Sequence, residues 1–148
     1  MDTVQALQQV FIFKDVPQRL LEIVARAAEE VSVSPGETLF SPGDRPNALF
    51  IIRSGTLRVT PEGDKTPSIL FGTGETIGEM ALLDGGTAAA TVTALERVDL
   101  FALRGGKLGT ALASHPEAGY ELYRAIASSL ARRLRRAVGV IVKEREGG

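Results

Sequence analysis

The sequence predicts an α+β protein: an antiparallel β-barrel or jelly roll, flanked by N-terminal helices and a long C-terminal helix. Two observations carry this. Most of the 16 Gly and 7 Pro fall between residues 35 and 110 and cut that stretch into short apolar segments. On both sides of it the apolar residues recur at helical spacing. With 148 residues, 44% apolar and 24% charged, the chain is read as a single domain over 1–148.

The expected helical region covers 1–31. Val4 and Leu7 lead to Phe11 and Phe13, and Pro17 opens the run Leu20, Leu21, Ile23, Val24 and Ala27, with Asp15 as a helix-start signal. Both phenylalanines are expected in the core. The barrel is expected over 32–104. Its candidate strands are Val31–Val33, Thr38–Phe40, Ala48–Arg53, Thr56–Thr60, Ser68–Gly72, Thr76–Gly78, Ala90–Leu95 and Val98–Leu103. Val31, Val33, Leu49, Ile51, Leu57 and Val59 alternate as half-buried strands do. Ser54-Gly55 reads as a tight hairpin turn. Pro35-Gly36, Pro42-Gly43-Asp44, Glu62-Gly63-Asp64 and Gly72-Thr73-Gly74 read as further turns. The C-terminal helices are expected over 105–143. A short one spans Lys107–Ala113. A long one starts at Ser114-His115-Pro116-Glu117, with Ser or His as cap, and runs to about Val142 before a frayed tail from Lys143 to Gly148.

Bulk properties exclude several classes. The net charge of −1 gives no general pull toward nucleic acid or an anionic membrane. Without Cys there is no disulfide, thiolate metal site or Cys nucleophile. No signal peptide is visible, and no apolar run nears the roughly 18 residues of a membrane span. His115 stands alone, so no convergent metal site is expected. No Ser-His-Asp set, P-loop or acid–base carboxylate pair is visible, and an enzyme is not expected; a metal-dependent cupin-like enzyme would need histidines that the chain lacks. A cytoplasmic location is expected.

The informative segment runs from Ile77 to Val92, Ile-Gly-Glu-Met-Ala-Leu-Leu-Asp-Gly-Gly-Thr-Ala-Ala-Ala-Thr-Val. It reads as a strand end, a Gly-Glu corner, a short helical turn, a Gly-rich loop and a second strand. Such a layout can wrap an anion in backbone N–H groups and hold one carboxylate beside it. The segment closely resembles the phosphate-binding cassette of cyclic nucleotide-binding domains, of the catabolite activator and cAMP-dependent protein kinase regulatory type. The resemblance extends to Val33–Asp44 and Leu49–Val59, and glycines 36, 43, 55, 74 and 78 fall at the family's turn positions. It covers Phe11 to about Leu134.

The resemblance implies a regulatory domain binding cAMP, cGMP or a related small ligand. It implies ligand contacts from Gly78, Glu79, Met80, Ala81, Leu82, Ala88, Ala89 and Thr91. Glu79 would accept a hydrogen bond from the ribose 2′-hydroxyl, with a structural helix-capping role as the alternative. The turn from Met80 to Leu83 and the amides of Gly78, Ala88 and Ala89 would face the phosphate. The Thr91 hydroxyl would face the purine, unless it is an ordinary strand residue. Ala88 departs from the pattern, because the family has an Arg there; a charge-assisted bond of that kind contributes roughly 1.5–3 kcal/mol. Thr87 stands where the family has Pro. Arg53, Arg58, Arg97 and Arg104 are candidate replacements for the missing cation.

In the long helix, Leu122, Ile126, Leu130, Leu134, Val138 and Ile141 form a stripe, widened by Tyr123, Ala127 and Ala137. A homodimer through Ile126–Ile141 is expected. Arg132, Arg133, Arg135 and Arg136 cluster there, but no helix-turn-helix follows, and nucleic-acid binding is not expected. The other reading is a degenerate dimerisation or protein-interaction module that binds no nucleotide.

Overall fold

The computed structural model describes residues 2–63 and 67–147, with side chains at 140–144 and 146–147 outside that description. Helix α1 (Thr3–Gln8) is closed by a capping box: Asp2 accepts from the Gln5 amide and the Gln5 side chain from the Asp2 amide. A 3₁₀ turn, Phe11–Phe13, leads to α2 (Gln18–Ala25). Eight strands follow: β1 (Ala28–Val33), β2 (Thr38–Phe40), β3 (Ala48–Ser54), β4 (Leu57–Pro61), β5 (Ile69–Phe71), β6 (Thr76–Ile77), β7 (Ala90–Ala94) and β8 (Val98–Arg104). Helix α3 (Glu79–Asp84) lies between β6 and β7, and α4 (Gly105–Leu112) and α5 (Pro116–Gly147) end the chain.

The strands form two four-stranded antiparallel sheets, β1-β8-β3-β6 and β2-β7-β4-β5. The result is a jelly roll rather than a closed barrel. The expected helical region also ends early, since β1 already begins at Ala28 and pairs Ala28 with Leu103. Helix α5 does not fray at Lys143; its backbone stays helical to Gly147. The Ser54-Gly55 hairpin is not one, because β3 and β4 belong to different sheets. Gly55 (φ 100°) instead carries the chain between them, and a Cβ there would lie 2.5 Å from the Arg97 carbonyl oxygen. That approach admits only Gly. Asp64, the last residue of one expected turn, and the Ile141 and Val142 side chains lie outside the described residues.

Two cores explain the apolar runs. One fills the space between the sheets, with Val33, Phe50, Ile52, Leu57, Val92 and Leu100. The other fills the space between the first sheet and the helices, with Leu7, Phe13, Leu21, Leu49, Phe101 and Ile126. Strand β3 is therefore buried on both faces: Ala48, Phe50 and Ile52 point to one core, Leu49 and Ile51 to the other. The expectation of a half-buried β3 fails for this reason, and its run of five apolar residues has the pattern of a strand covered on both sides.

Candidate functional site

The segment between β6 and β7 closes a cavity of about 190 Å³ against the second sheet. Phe40, Val59, Ile77 and Val92 supply apolar walls, and Pro46 contributes from the β2–β3 loop. Gly78, Glu79, Met80, Ala81 and the run Thr87 to Ala90 supply the rest. Met80, 68% exposed, stands at the mouth. Gly78 caps α3 in the left-handed region (φ 96°, ψ 13°). The Leu82 amide donates to the Gly78 carbonyl at 3.0 Å, which leaves the amides of Glu79, Met80 and Ala81 without an intrahelical acceptor.

Glu79 is the one carboxylate of the cavity wall and is 4% exposed. Its Oε1 accepts from the Thr76 hydroxyl and from Arg133 Nη2 at 3.1 Å. Among the described residues no donor reaches Oε2. Arg133 belongs to α5, so this ion pair ties the cassette to the long helix. A buried carboxylate needs such partners to remain stable in its charged form.

The structure separates the expected site residues. Gly78, Glu79, Met80, Ala81, Ala88 and Ala89 line the cavity together. Leu82 does not; it is 7% exposed and packs into the core beneath the helices. Thr91 does not either: Ala90 and Val92 face the cavity, and strand alternation turns Thr91 to the other side of the sheet. The Ala88 amide is not available to an anion, because it donates to the Asp44 carbonyl at 2.8 Å, while the Gly43 amide donates to the Ala88 carbonyl at 3.0 Å. The Ala89 carbonyl accepts from the Glu62 amide.

None of the four candidate replacement arginines lines the cavity. Arg53 pairs with Glu30 and lies over the Phe101 ring at 4.4 Å, Arg97 pairs with Asp99, and Arg104 pairs with Glu29. Arg58 alternates with Val59, a cavity residue, and so points away. Besides Arg133, the cation that reaches the cassette is Arg45, whose Nη1 donates to the Gly85 carbonyl at 3.1 Å. Sequence reasoning missed both Arg45 and Arg133. It also missed the apolar walls, although the alternation of Ala90, Thr91 and Val92 carried that signal.

A larger hollow of about 540 Å³ lies on the far side of β3, against α1, with Phe11, Arg53 and Asp99 in its wall. Hydrogen bonding from Ser32, followed by the Arg97 charge and the Ser54 hydroxyl, holds the Asp99 carboxyl below the usual carboxylate range despite its desolvation. Asp99 therefore acts there as a structural acceptor. Among the described residues no cluster of His, Cys, Asp and Glu could hold a metal, and no helix is long and apolar enough to cross a membrane.

The chain is 27% identical over 135 residues to the CRP-like cAMP-activated global transcriptional regulator of Mycobacterium tuberculosis, covering 89% of this chain and 58% of that protein. It is 32% identical to a cyclic nucleotide-gated cation channel subunit of Drosophila melanogaster over 80% of this chain, but only 18% of the channel subunit. The chain thus spans a part of each of these relatives. Among solved structures, the N-terminal domain of a transcriptional regulator from Streptomyces coelicolor superposes with a TM-score of 0.74 at 31% identity, covering 89% of this chain and 94% of that one. The family model described as the cyclic nucleotide-binding domain matches residues 30–115, which hold all but the first two residues of the two sheets and the whole cassette. The match takes in more than half of the chain, which therefore belongs to the cyclic nucleotide-binding domain family.

Proposed function

We propose that this chain is a regulatory, non-catalytic cytoplasmic module that binds a cyclic nucleotide, cAMP or cGMP, in the cassette cavity and reports occupancy through α5. The observation that carries the reading is the shared carboxylate of Glu79, which lines the cavity and holds Arg133 of α5 through Oε1. Its second oxygen is left for a ligand hydroxyl, for which a carboxylate is a strong acceptor. The apolar walls suit a flat base, and the free amides of α3 suit an anion. A ligand hydroxyl on Oε2 draws electron density from the same carboxylate that holds Arg133 through Oε1, so binding and helix position are coupled through one side chain.

Titration calorimetry with cAMP and cGMP tests this. Binding by the native chain is expected, weakened about tenfold to hundredfold in Glu79→Ala, from roughly 1.5–3 kcal/mol of lost hydrogen bonding. Ala88→Arg is expected to tighten it, and hydrogen exchange in the α5 turn around Arg133 is expected to change on binding. No heat from either nucleotide with the native chain would turn the reading toward a protein-interaction module.

The same proposal includes a homodimer. Leu122 and Ile126 of α5 are buried in the core beneath the helices, and Leu130 packs against it. Beyond them Leu134 and Val138 emerge 64% and 50% exposed, in line with Tyr120 and Tyr123 on the outer face. A two-fold pairing of this face would bury two copies of Leu134, one from each protomer, contributing about 2–4 kcal/mol. Sedimentation equilibrium of native chain and Leu134→Arg checks this. The expected result is a dimer that the substitution converts to a folded monomer, with an unchanged circular dichroism spectrum and a lower melting temperature that no longer depends on protein concentration. A native monomer at tens of micromolar removes the dimer from the proposal.

A further inference from the structure

We propose that Arg45, on the β2–β3 loop, supplies the positive charge that a nucleotide phosphate needs in this cavity; the inference rests on the nucleotide reading above. An anion entering beside Glu79 meets a buried carboxylate whose bonded cation lies on the other side. Arg133 faces a separate cleft lined by Gly74, Glu75 and Thr76. With Ala at position 88 the cassette loop offers no cationic side chain of its own. The loop that carries Arg45 is, however, fastened to it. The Gly43 amide and the Asp44 carbonyl are both hydrogen-bonded to Ala88, and the next residue after Arg45, Pro46, is part of the cavity wall. Arg45 is thereby held one residue from the wall, with its guanidinium at the Gly85 carbonyl.

That bond is to a neutral acceptor, and among the described residues Arg45 makes no ion pair. The nearby acids are already used: Asp44 Oδ2 accepts from the Ser41 amide and Asp84 Oδ1 from the Gly86 amide. Exchanging a neutral carbonyl for a phosphate gives a charge-assisted and potentially bidentate bond. Between Gly85 and the cavity wall at Ala90 the cavity-lining residues Thr87, Ala88 and Ala89 carry only small side chains. The ligand class follows: a nucleoside carrying a singly charged phosphate, in preference to the uncharged nucleoside.

The test is cAMP and adenosine titration of native chain, Arg45→Gln, Arg45→Lys and Arg58→Gln. Arg58→Gln removes the same charge from the opposite face of β4. The expected result is cAMP binding at least tenfold weaker in Arg45→Gln, partly restored in Arg45→Lys and unchanged in Arg58→Gln, with adenosine binding alike in all four. Equal cAMP affinity in native chain and Arg45→Gln overturns the role of Arg45 and leaves the cavity reading standing. Equal weakening in Arg45→Gln and Arg58→Gln overturns it too, as a nonspecific charge effect. No cAMP or cGMP binding by the native chain overturns both inferences together. Melting curves of each variant exclude misfolding as the cause.

Discussion

Replacing Gly78 with Ala is expected to destabilise the protein by about 2–5 kcal/mol and to abolish the cavity. Two costs add. Gly78 has φ 96°, a region that costs an L-residue about 1–2 kcal/mol. A Cβ at this position would also stand 2.5 Å from the carbonyl oxygen of Ala48, which is itself fully buried in β3. Backbone on both sides must then move, an overpacking cost of about 1–3 kcal/mol. Gly36→Ala separates the two terms: its φ is 82°, but nothing lies within 4 Å of the added Cβ. Urea denaturation should show a much larger drop in midpoint for Gly78→Ala than for Gly36→Ala, with nucleotide binding lost only in the former. Equal drops would mean that the corner yields easily and that Ala48 does not fix the cassette.

Phe101→Ala is expected to cost about 3–5 kcal/mol, a large share of the roughly 5–15 kcal/mol that holds a domain of this kind together. Phe101 is 2% exposed and is among the largest fully enclosed side chains of the core beneath the helices. Its ring also supports the Arg53 guanidinium at 4.4 Å, which adds about 0.5–1 kcal/mol. The loss would fall on the join between the first sheet and the helices, including α5. The expected readout is a lower urea midpoint with faster hydrogen exchange in α2 and α5 than in β4 or β7. A loss under about 1 kcal/mol would show that this join collapses around the cavity and is not a rigid seat for the helix.

Much of the fold was legible because its signals are local. The five named turn glycines, 36, 43, 55, 74 and 78, all adopt positive φ. The cassette begins and ends close to where the sequence places it, since Gly78, the apolar turn and the Ala90–Ala94 strand each carry their own backbone preference. The failures concern partners far apart in the chain. Glu79 and Arg133 are separated by 54 residues, and no spacing rule joins them. Ser54-Gly55 has hairpin composition, yet the residues that decide its geometry, Arg97 and Val98, arrive from the β7–β8 turn and the start of β8. The Ala88 amide looks free in the sequence and is occupied by Asp44 only in the folded chain. The site was therefore readable as a segment, and its cations were not.

The register of β1 has a consequence for how the molecule comes into being. Ala28 to Val33 pair with Leu103 to Val98, and β8 in turn pairs with β3. The first sheet thus lacks its centre until β8 has been synthesised. During translation β1 must wait, unpaired, for a strand from far along the chain, while the doubly apolar β3 has only the two-residue β6 to pair with, and such distant closures are slow and expose sticky surface meanwhile. Everything from β4 to β7 is made during that wait, including the cassette. A nascent chain that already contains every cavity residue still has no cavity, because Ala48, the backstop of the Gly78 corner, is not held until Arg104 pairs with it. On the nucleotide-binding proposal, ligand acts on this protein only once the scaffold is complete, and a growing chain is blind to it.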